Sequence, residues 1–232
     1  MSQDLLIGKM PVDITKTADI LSDDITGSVH FDADTKTLTL DNATLTDAII
    51  RNNNVMWLNI CLKGNNHISN PDGALFLLKP TKITGGGTLT TSCATDYSDI
   101  YHEASLLIEN CNIEVNIFRG VFNAFLEIRN SNVTSLYGIF WHSGVTLKDC
   151  AIVLPQGGAY DLQEHAISLR GLIYKNKVVI ERTVPSSIDA APAENIIKKH
   201  YDTAGRMITR PSTHKGIHII KDADGKAEKV MR

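Results

Sequence analysis

The chain has 232 residues, a formal net charge of −3, 43% hydrophobic and 21% charged residues. That is the composition of a folded globular protein with one large or two small domains, and it excludes a disordered chain. There is no basic excess of the kind a nucleic-acid binder carries. No run approaches the ~18 apolar residues of a membrane-spanning helix, so no transmembrane segment is expected.

The charge is unevenly distributed. From Pro185 onward nine Lys/Arg face six Asp/Glu, while the preceding part is net acidic, which suggests a boundary there. The opening Met1-Ser2-Gln3-Asp4 is not a signal peptide, so either the protein stays inside the cell or its leader lies outside the given sequence.

One pattern recurs along residues 5–183: an apolar residue, any residue, then Asn, Asp or Gly, then two or three residues and another apolar one. Its copies are Leu40-Asp41-Asn42-Ala43-Thr44-Leu45, Ile108-Glu109-Asn110-Cys111-Asn112-Ile113, Ile128-Arg129-Asn130-Ser131-Asn132-Val133 and Leu147-Lys148-Asp149-Cys150-Ala151-Ile152. Looser copies begin at Leu62 and Ile83. First positions at 40, 62, 83, 108, 128 and 147 give steps of 22, 21, 25, 20 and 19 residues. The flanks alternate and favour β-formers, as in Phe125-Leu126-Glu127-Ile128. A strand, a tight turn and a second strand every ~20 residues is one coil of an all-β solenoid, a parallel β-helix.

The turn residues carry the physical reason. Asn, Asp and Gly tolerate left-handed backbone, so Asn42, Asn110, Asn130 and Asp149 are expected to stack as a ladder on successive coils ~4.8 Å apart. Ala43, Cys111, Ser131 and Cys150 follow as a column of small inward residues. A second column is read at Ala48-Ile49, Ala74-Leu75, Gly120-Val121, Gly138-Ile139 and Ala166-Ile167. Cys111 and Cys150 then lie two coils apart, roughly 9–10 Å, beyond the ~7 Å a disulfide spans. Free thiols are expected, with Cys61 and Cys93 also unpaired. Asp41, Lys63, Glu109, Arg129 and Lys148 share one outward column, which reads as a charge ladder.

Val184 to Ala193 has the composition of a linker. Beyond it, residues 194–232 read as a small β-meander, with a turn at Asp202–Gly205, a strand around Lys215–Ile220, a hairpin turn at Asp222–Gly225 and a returning strand to Met231.

The stretch from Gly27 to Leu45, with Leu62-Lys63-Gly64-Asn65-Asn66 and Thr84-Gly85-Gly86-Gly87-Thr88-Leu89, resembles a β-helix family common in gut Bacteroidetes, whose members are often labelled carbohydrate-binding or surface proteins. The resemblance covers roughly residues 5–183. It implies a single-stranded right-handed parallel β-helix of the pectate-lyase-like kind. Tyr201-Asp202-Thr203-Ala204-Gly205-Arg206, Lys215–Ile220 and Lys229–Arg232 resemble the short C-terminal β modules of secreted Bacteroidetes proteins, some of which act as sorting signals. Together they imply an extracellular, cell-surface or periplasmic location. The family supplies no catalytic residues that map onto this chain.

Candidate sites fall on the irregular steps, since a coil that grows must bulge as a loop. The longest step holds Asp96-Tyr97-Ser98-Asp99-Ile100-Tyr101-His102-Glu103. Tyr97, Tyr101 and His102 are candidates for stacking on a glycan, and Asp96, Asp99 and Glu103 could offer oxygen ligands to Ca²⁺. The competing reading is a solvated polar loop. Tyr160, in Tyr160-Asp161-Leu162-Gln163-Glu164-His165, is a second candidate against a plain connecting loop. Trp141, if exposed, would give a glycan platform, although tryptophans at strand corners are more often buried, and the same holds for Trp57. Polysaccharide lyases built on this scaffold use Arg or Lys beside Ca²⁺-binding carboxylates. Here Arg119, Arg129 and Arg170 are scattered, and the charge-ladder reading needs no catalysis.

The sequence therefore points to a non-catalytic glycan-binding or adhesive surface protein. A polysaccharide lyase or glycoside hydrolase, and a structural spacer of a surface assembly, are the alternatives. A cleft joining an Arg or Lys to two carboxylates would favour the enzyme.

Overall fold

The computed structural model describes residues 4–94 and 98–183 and, beyond them, three strands within 199–231. Its chain forms two compact units, Met1–Val184 and Pro185–Arg232. Among the described residues every regular element is a strand, and none is a helix long and apolar enough to cross a membrane.

The first unit is a β-solenoid of about five turns with mostly parallel sheets. Each coil has three short strands, and these stack into three walls. Wall one starts with residues 37–41 and continues through Leu58–Lys63, Thr81–Thr84, Leu106–Glu109, Phe125–Arg129 and Gly144–Lys148. Wall two starts with residues 44–46 and continues through Asn65–Ser69, Thr88–Ser92, Asn112–Val115 and Asn132–Ser135. Wall three comprises Ile50–Asn52, Leu75–Leu77, Ile100–His102, Phe118–Arg119 and Ile139–Phe140.

Strand alternation sends every second side chain inward. The resulting core stacks like on like: Leu38, Ile60, Ile83, Ile108, Ile128 and Leu147 along wall one, and Ile50, Leu75, Ile100, Phe118 and Ile139 along wall three. The expected wall-one column is thus displaced by two residues. Ile83 sits beside Ile60, not Leu62. A slip of two leaves the inward face unchanged, which is why the periodicity alone did not expose it. In wall three Leu75 and Ile139 stand where expected, whereas Ile50 and Phe118 replace Ile49 and Val121.

The corner between walls one and two is turned by left-handed residues in every coil. Asn42, Asn110, Asn130 and Asp149 have φ of 48, 55, 42 and 55°, and Gly64, Gly85 and Gly86 substitute for them in the two looser copies. At Gly85 (φ 111°) a Cβ would come within 2.4 Å of the Leu62 carbonyl oxygen, so only glycine fits there. The ladder is partial: Asn130 Nδ2 donates to Asn110 Oδ1 (2.7 Å) and Asn132 Nδ2 to Asn112 Oδ1 (2.9 Å). The small column Ala43, Cys111, Ser131 and Cys150 is buried. All four cysteines are free thiols. Arg129 pairs with Glu127 (2.7 Å) and with Glu109 on the preceding coil (3.7 Å), as the charge ladder required.

Antiparallel strands close both ends. Leu5–Ile7 pairs with Ile50–Asn52, and Ile25–Asp32 pairs with Thr37–Thr46. At the other end Val178–Arg182 enters antiparallel between Asn132–Ser135 and Cys150–Leu154. The closing strand expected near Ile180 is therefore present, and it displaces the second strand of the last repeat copy, Cys150–Leu154, from the parallel ladder. Its Arg182 spans the asparagine column. The backbone N–H donates to Asn132 Oδ1 (3.0 Å), Nε to the Asn130 carbonyl (2.7 Å), and Nη2 to the Cys111 carbonyl and Asn112 Oδ1 (3.3 Å each). Arg182→Ala keeps the backbone bond to Asn132 and is expected to cost about 2 kcal/mol by orphaning the acceptors of the guanidinium at Asn130, Cys111 and Asn112. In thermal melts this lowers Tm by roughly 4–8 °C, and Arg182→Lys, lacking the guanidinium fork, should recover little of it. An unchanged Tm would show that the clamp contributes nothing.

In the second unit Lys199–Tyr201, Ile217–Lys221 and Ala227–Met231 form a three-stranded antiparallel sheet. The last two are the hairpin strands expected from the sequence. The proposed linker and the turns at 202–205 and 222–225 lie outside the described residues.

Candidate binding face

Each wall-three strand points one central side chain outward. The register places these side chains side by side as Arg51, Phe76, Tyr101, Arg119 and Phe140. At one position per coil, the stripe covers about 19 Å of the outer face. Its first three members touch in sequence, and Arg119 turns to the neighbouring Trp141. The Arg51 guanidinium lies 5.1 Å from the Phe76 ring centroid, and Phe76 stacks on Tyr101 with centroids 4.7 Å apart and planes 21° off parallel. Arg119 lies 4.3 Å from the centre of the Trp141 ring. Cation–π contact holds these side chains flat against the wall. Each is half-buried, presenting rings and cations to solvent in fixed positions.

The two tryptophans occupy the corners after wall three, and the expectation that they are buried is corrected. Trp57 is 51% and Trp141 43% exposed. Both adopt left-handed backbone, with φ of 57 and 58°. For a bulky residue that conformation costs of order 1–3 kcal/mol and persists only where the surroundings impose it. Each indole also lies beneath a cation, Lys82 at 5.8 Å for Trp57 and Arg119 for Trp141.

Two grooves flank Arg119. The larger, about 550 Å³, has Tyr137, Phe140, Trp141 and Ile173 as apolar sides and Arg119 and Lys175 as its cations, with no carboxylate among the described residues that line it. The smaller, about 240 Å³, lies along Phe76, Tyr101 and Arg119, and among the described residues Asp72 is its one carboxylate. Arg119 forms no ion pair among the described residues, and its buried Nε has no hydrogen-bond partner there. Among the described residues neither groove brings an Arg or Lys together with two carboxylates.

The residues expected from sequence separate into distinct fates. Tyr101 stands in the stripe, with its hydroxyl donating to Glu103 Oε1 at 2.8 Å. Burial, with Glu103 second, pushes the phenol pKa up. Trp141 walls the larger groove. Tyr160 is half-buried on a strand two removed from Phe140 in the same sheet, and its hydroxyl donates to the His142 carbonyl at 2.6 Å. Asp96 and Tyr97 lie outside the described residues.

Two expectations are corrected. Asp99 is fully buried, where its Oδ2 accepts from the Thr91 hydroxyl and the Asn116 N–H; it pins a corner and does not face a loop. His102, expected on the surface, is 1% exposed because it follows the outward Tyr101 by one residue. Among the described residues no three His, Cys, Asp or Glu side chains converge as a metal cage.

Inside the solenoid His102 meets His142, with ring centroids 4.9 Å apart and Phe118 edge-on to both. Gly120 lies on the intervening coil, and a Cβ there would approach the His142 ring to 3.0 Å. The glycine is what lets the two rings approach. His102 Nδ1 bonds the Ala104 carbonyl at 2.8 Å, whereas its Nε2 and both His142 nitrogens have no partner among the described residues. Burial lowers the His102 pKa to about 4, and burial followed by the neighbouring His102 drives His142 well below its usual value.

Fold and face together define a three-walled β-solenoid with an aromatic–cationic stripe on one wall. No known protein family, curated protein or solved structure matches the chain.

Proposed function

We propose that this protein is a non-catalytic glycan-binding or adhesive module that holds an extended polysaccharide along wall three. The single observation that carries this reading is the registered stripe Arg51, Phe76, Tyr101, Arg119 and Phe140, flanked by the exposed Trp141. Sugar rings offer apolar C–H faces that stack on aromatic rings and hydroxyls that accept from guanidinium groups. A rigid wall supplies both at a fixed spacing, with the ordering cost already met by the fold. Strain retained at Trp141 fits a side chain kept for its exposed face rather than for packing. The two grooves, with one carboxylate between them among the described residues, favour binding over glycan cleavage. Polysaccharide recognition in turn suits a secreted or surface location.

The test is a polysaccharide array with the full chain, with and without Ca²⁺, followed by titration of the best ligand. Trp141→Ala is expected to weaken binding at least tenfold, about 1.4 kcal/mol, as removal of a central aromatic anchor does. Trp57→Ala, outside the stripe, should leave it unchanged. The reading fails if no polysaccharide binds, or if both variants bind like the parent.

A further inference from the structure

We infer that the ligand of the wall-three face is an anionic glycan, one whose sugars carry carboxylate or sulfate groups, and that Arg119 and Lys175 receive one such group over the Trp141 ring. This rests on the glycan-binding reading and narrows it. Among the described residues the larger groove carries two cations and no carboxylate in a chain of net charge −3, so positive charge is concentrated at this point against the overall trend. Arg119 has no acidic partner among the described residues, and its Nε is buried without a hydrogen bond. An arginine fixed 4.3 Å over an indole has already lost most of its side-chain freedom. Its guanidinium is therefore presented ready for bidentate pairing with a planar or tetrahedral oxyanion.

Asp72 lines the smaller groove, and Glu103 is engaged by the Tyr101 hydroxyl. Asp161, two strands beyond Phe140 in the same sheet, accepts from the Gln163 and Glu164 N–H groups and does not line the larger groove. Arg51 stands over Phe76 at the other end of the stripe, so what sets the larger groove apart is its pair of cations. Neutral stacking is expected along Phe76 and Tyr101, and the acidic group is expected between Arg119 and Lys175, beside the rings of Tyr137 and Phe140. A single-stranded nucleic acid would also use aromatics and cations, but it needs a cationic track along its whole backbone. Here Asp72 interrupts the cations.

The experiment titrates the full chain, by calorimetry at low salt, with four probes. These are a polyuronate, the same polymer after carboxyl reduction, a sulfated polysaccharide and a single-stranded oligonucleotide. Binding of the polyuronate or the sulfated polymer is expected, and the comparison identifies which group is held. Carboxyl reduction should weaken a polyuronate about tenfold to a hundredfold, in line with loss of a charge-assisted pair. Arg119→Gln and Lys175→Gln should each remove most of that preference, while Lys82→Gln retains it. Lys175 lies outside the regular strands, so its variant stays informative if Arg119→Gln fails to fold. Equal binding of charged and reduced polymers would overturn this inference while leaving glycan binding intact. Tight oligonucleotide binding abolished by the same variants would overturn both.

Discussion

Stability is expected to fall steeply as pH drops from about 6.5 to about 4, with His102 and His142 as the cause. In the unfolded chain both imidazoles take up a proton near pH 6.5. In the folded solenoid His102 does so only near pH 4, and His142 is held well below its usual value too. The unfolded state therefore binds more protons across this window, and the sign follows: stability is complete above pH 6.5 and declines as pH falls towards the folded values. For His102 the difference between 6.5 and about 4 corresponds to roughly 3 kcal/mol, and His142 adds to it in the same direction. That is a large share of a typical folding free energy of about 5–15 kcal/mol.

Urea unfolding at pH 7.5, 6, 5 and 4 measures the effect. His142→Phe should flatten the profile and preserve or raise stability at neutral pH. The ring nitrogens of His142 bond to nothing among the described residues, and Phe118 already packs edge-on at 5.8 Å. A parent protein equally stable at pH 7.5 and 4.5 would refute the account.

Asn52→Ala is expected to destabilise the solenoid by about 2–4 kcal/mol at any pH. The Asn52 side chain is completely buried in the corner between walls three and one. Its Oδ1 accepts from the Val55 N–H at 2.8 Å, and its Nδ2 donates to the Val55 carbonyl at 2.9 Å and to Thr81 Oγ1 on the next coil at 3.0 Å. Truncation leaves both Val55 backbone groups buried and unpaired, where each costs far more than the bond it made. A Tm decrease of roughly 5–15 °C is the expected result. A change under 2 °C would mean that the corner relaxes and reaches water.

Much of the architecture was legible because a solenoid repeats its constraints. A residue that must be left-handed in one coil faces the same requirement in the next, so Asn42, Asn110, Asn130 and Asp149 declare the corner in the one-dimensional sequence. The small inward column behind them and the opposed charges of Glu109 and Arg129 were readable for the same reason. The third wall was harder. Its strands are two to three residues long in the solenoid body, and the coil around Ile100 follows a longer loop, so no fixed interval leads from Leu75 to Ile100 or from Ile100 to Phe118.

The candidate face was only partly legible. Tyr101 and Trp141 were singled out as residue types on irregular steps. Phe76, Arg51, Arg119 and Phe140 were not, because nothing local marks them. They become a stripe only when five separate strands align. The signal that could have found them is outward position in wall three, which needed that register in advance. His102 shows the converse, since a shift of one residue along a strand exchanges solvent for the core.

What the sequence determined by itself is the solenoid, its corner chemistry, its free cysteines and its two-part organisation. These follow from local backbone preference and from a period that does not depend on distant contacts. Only the tertiary structure decided the insertion of Val178–Arg182 into wall two, the approach of His102 to His142 past Gly120, and the alignment of rings and guanidinium groups on wall three. Each depends on which coil lies against which. That is set by summed packing over many residues, and no single motif reports it.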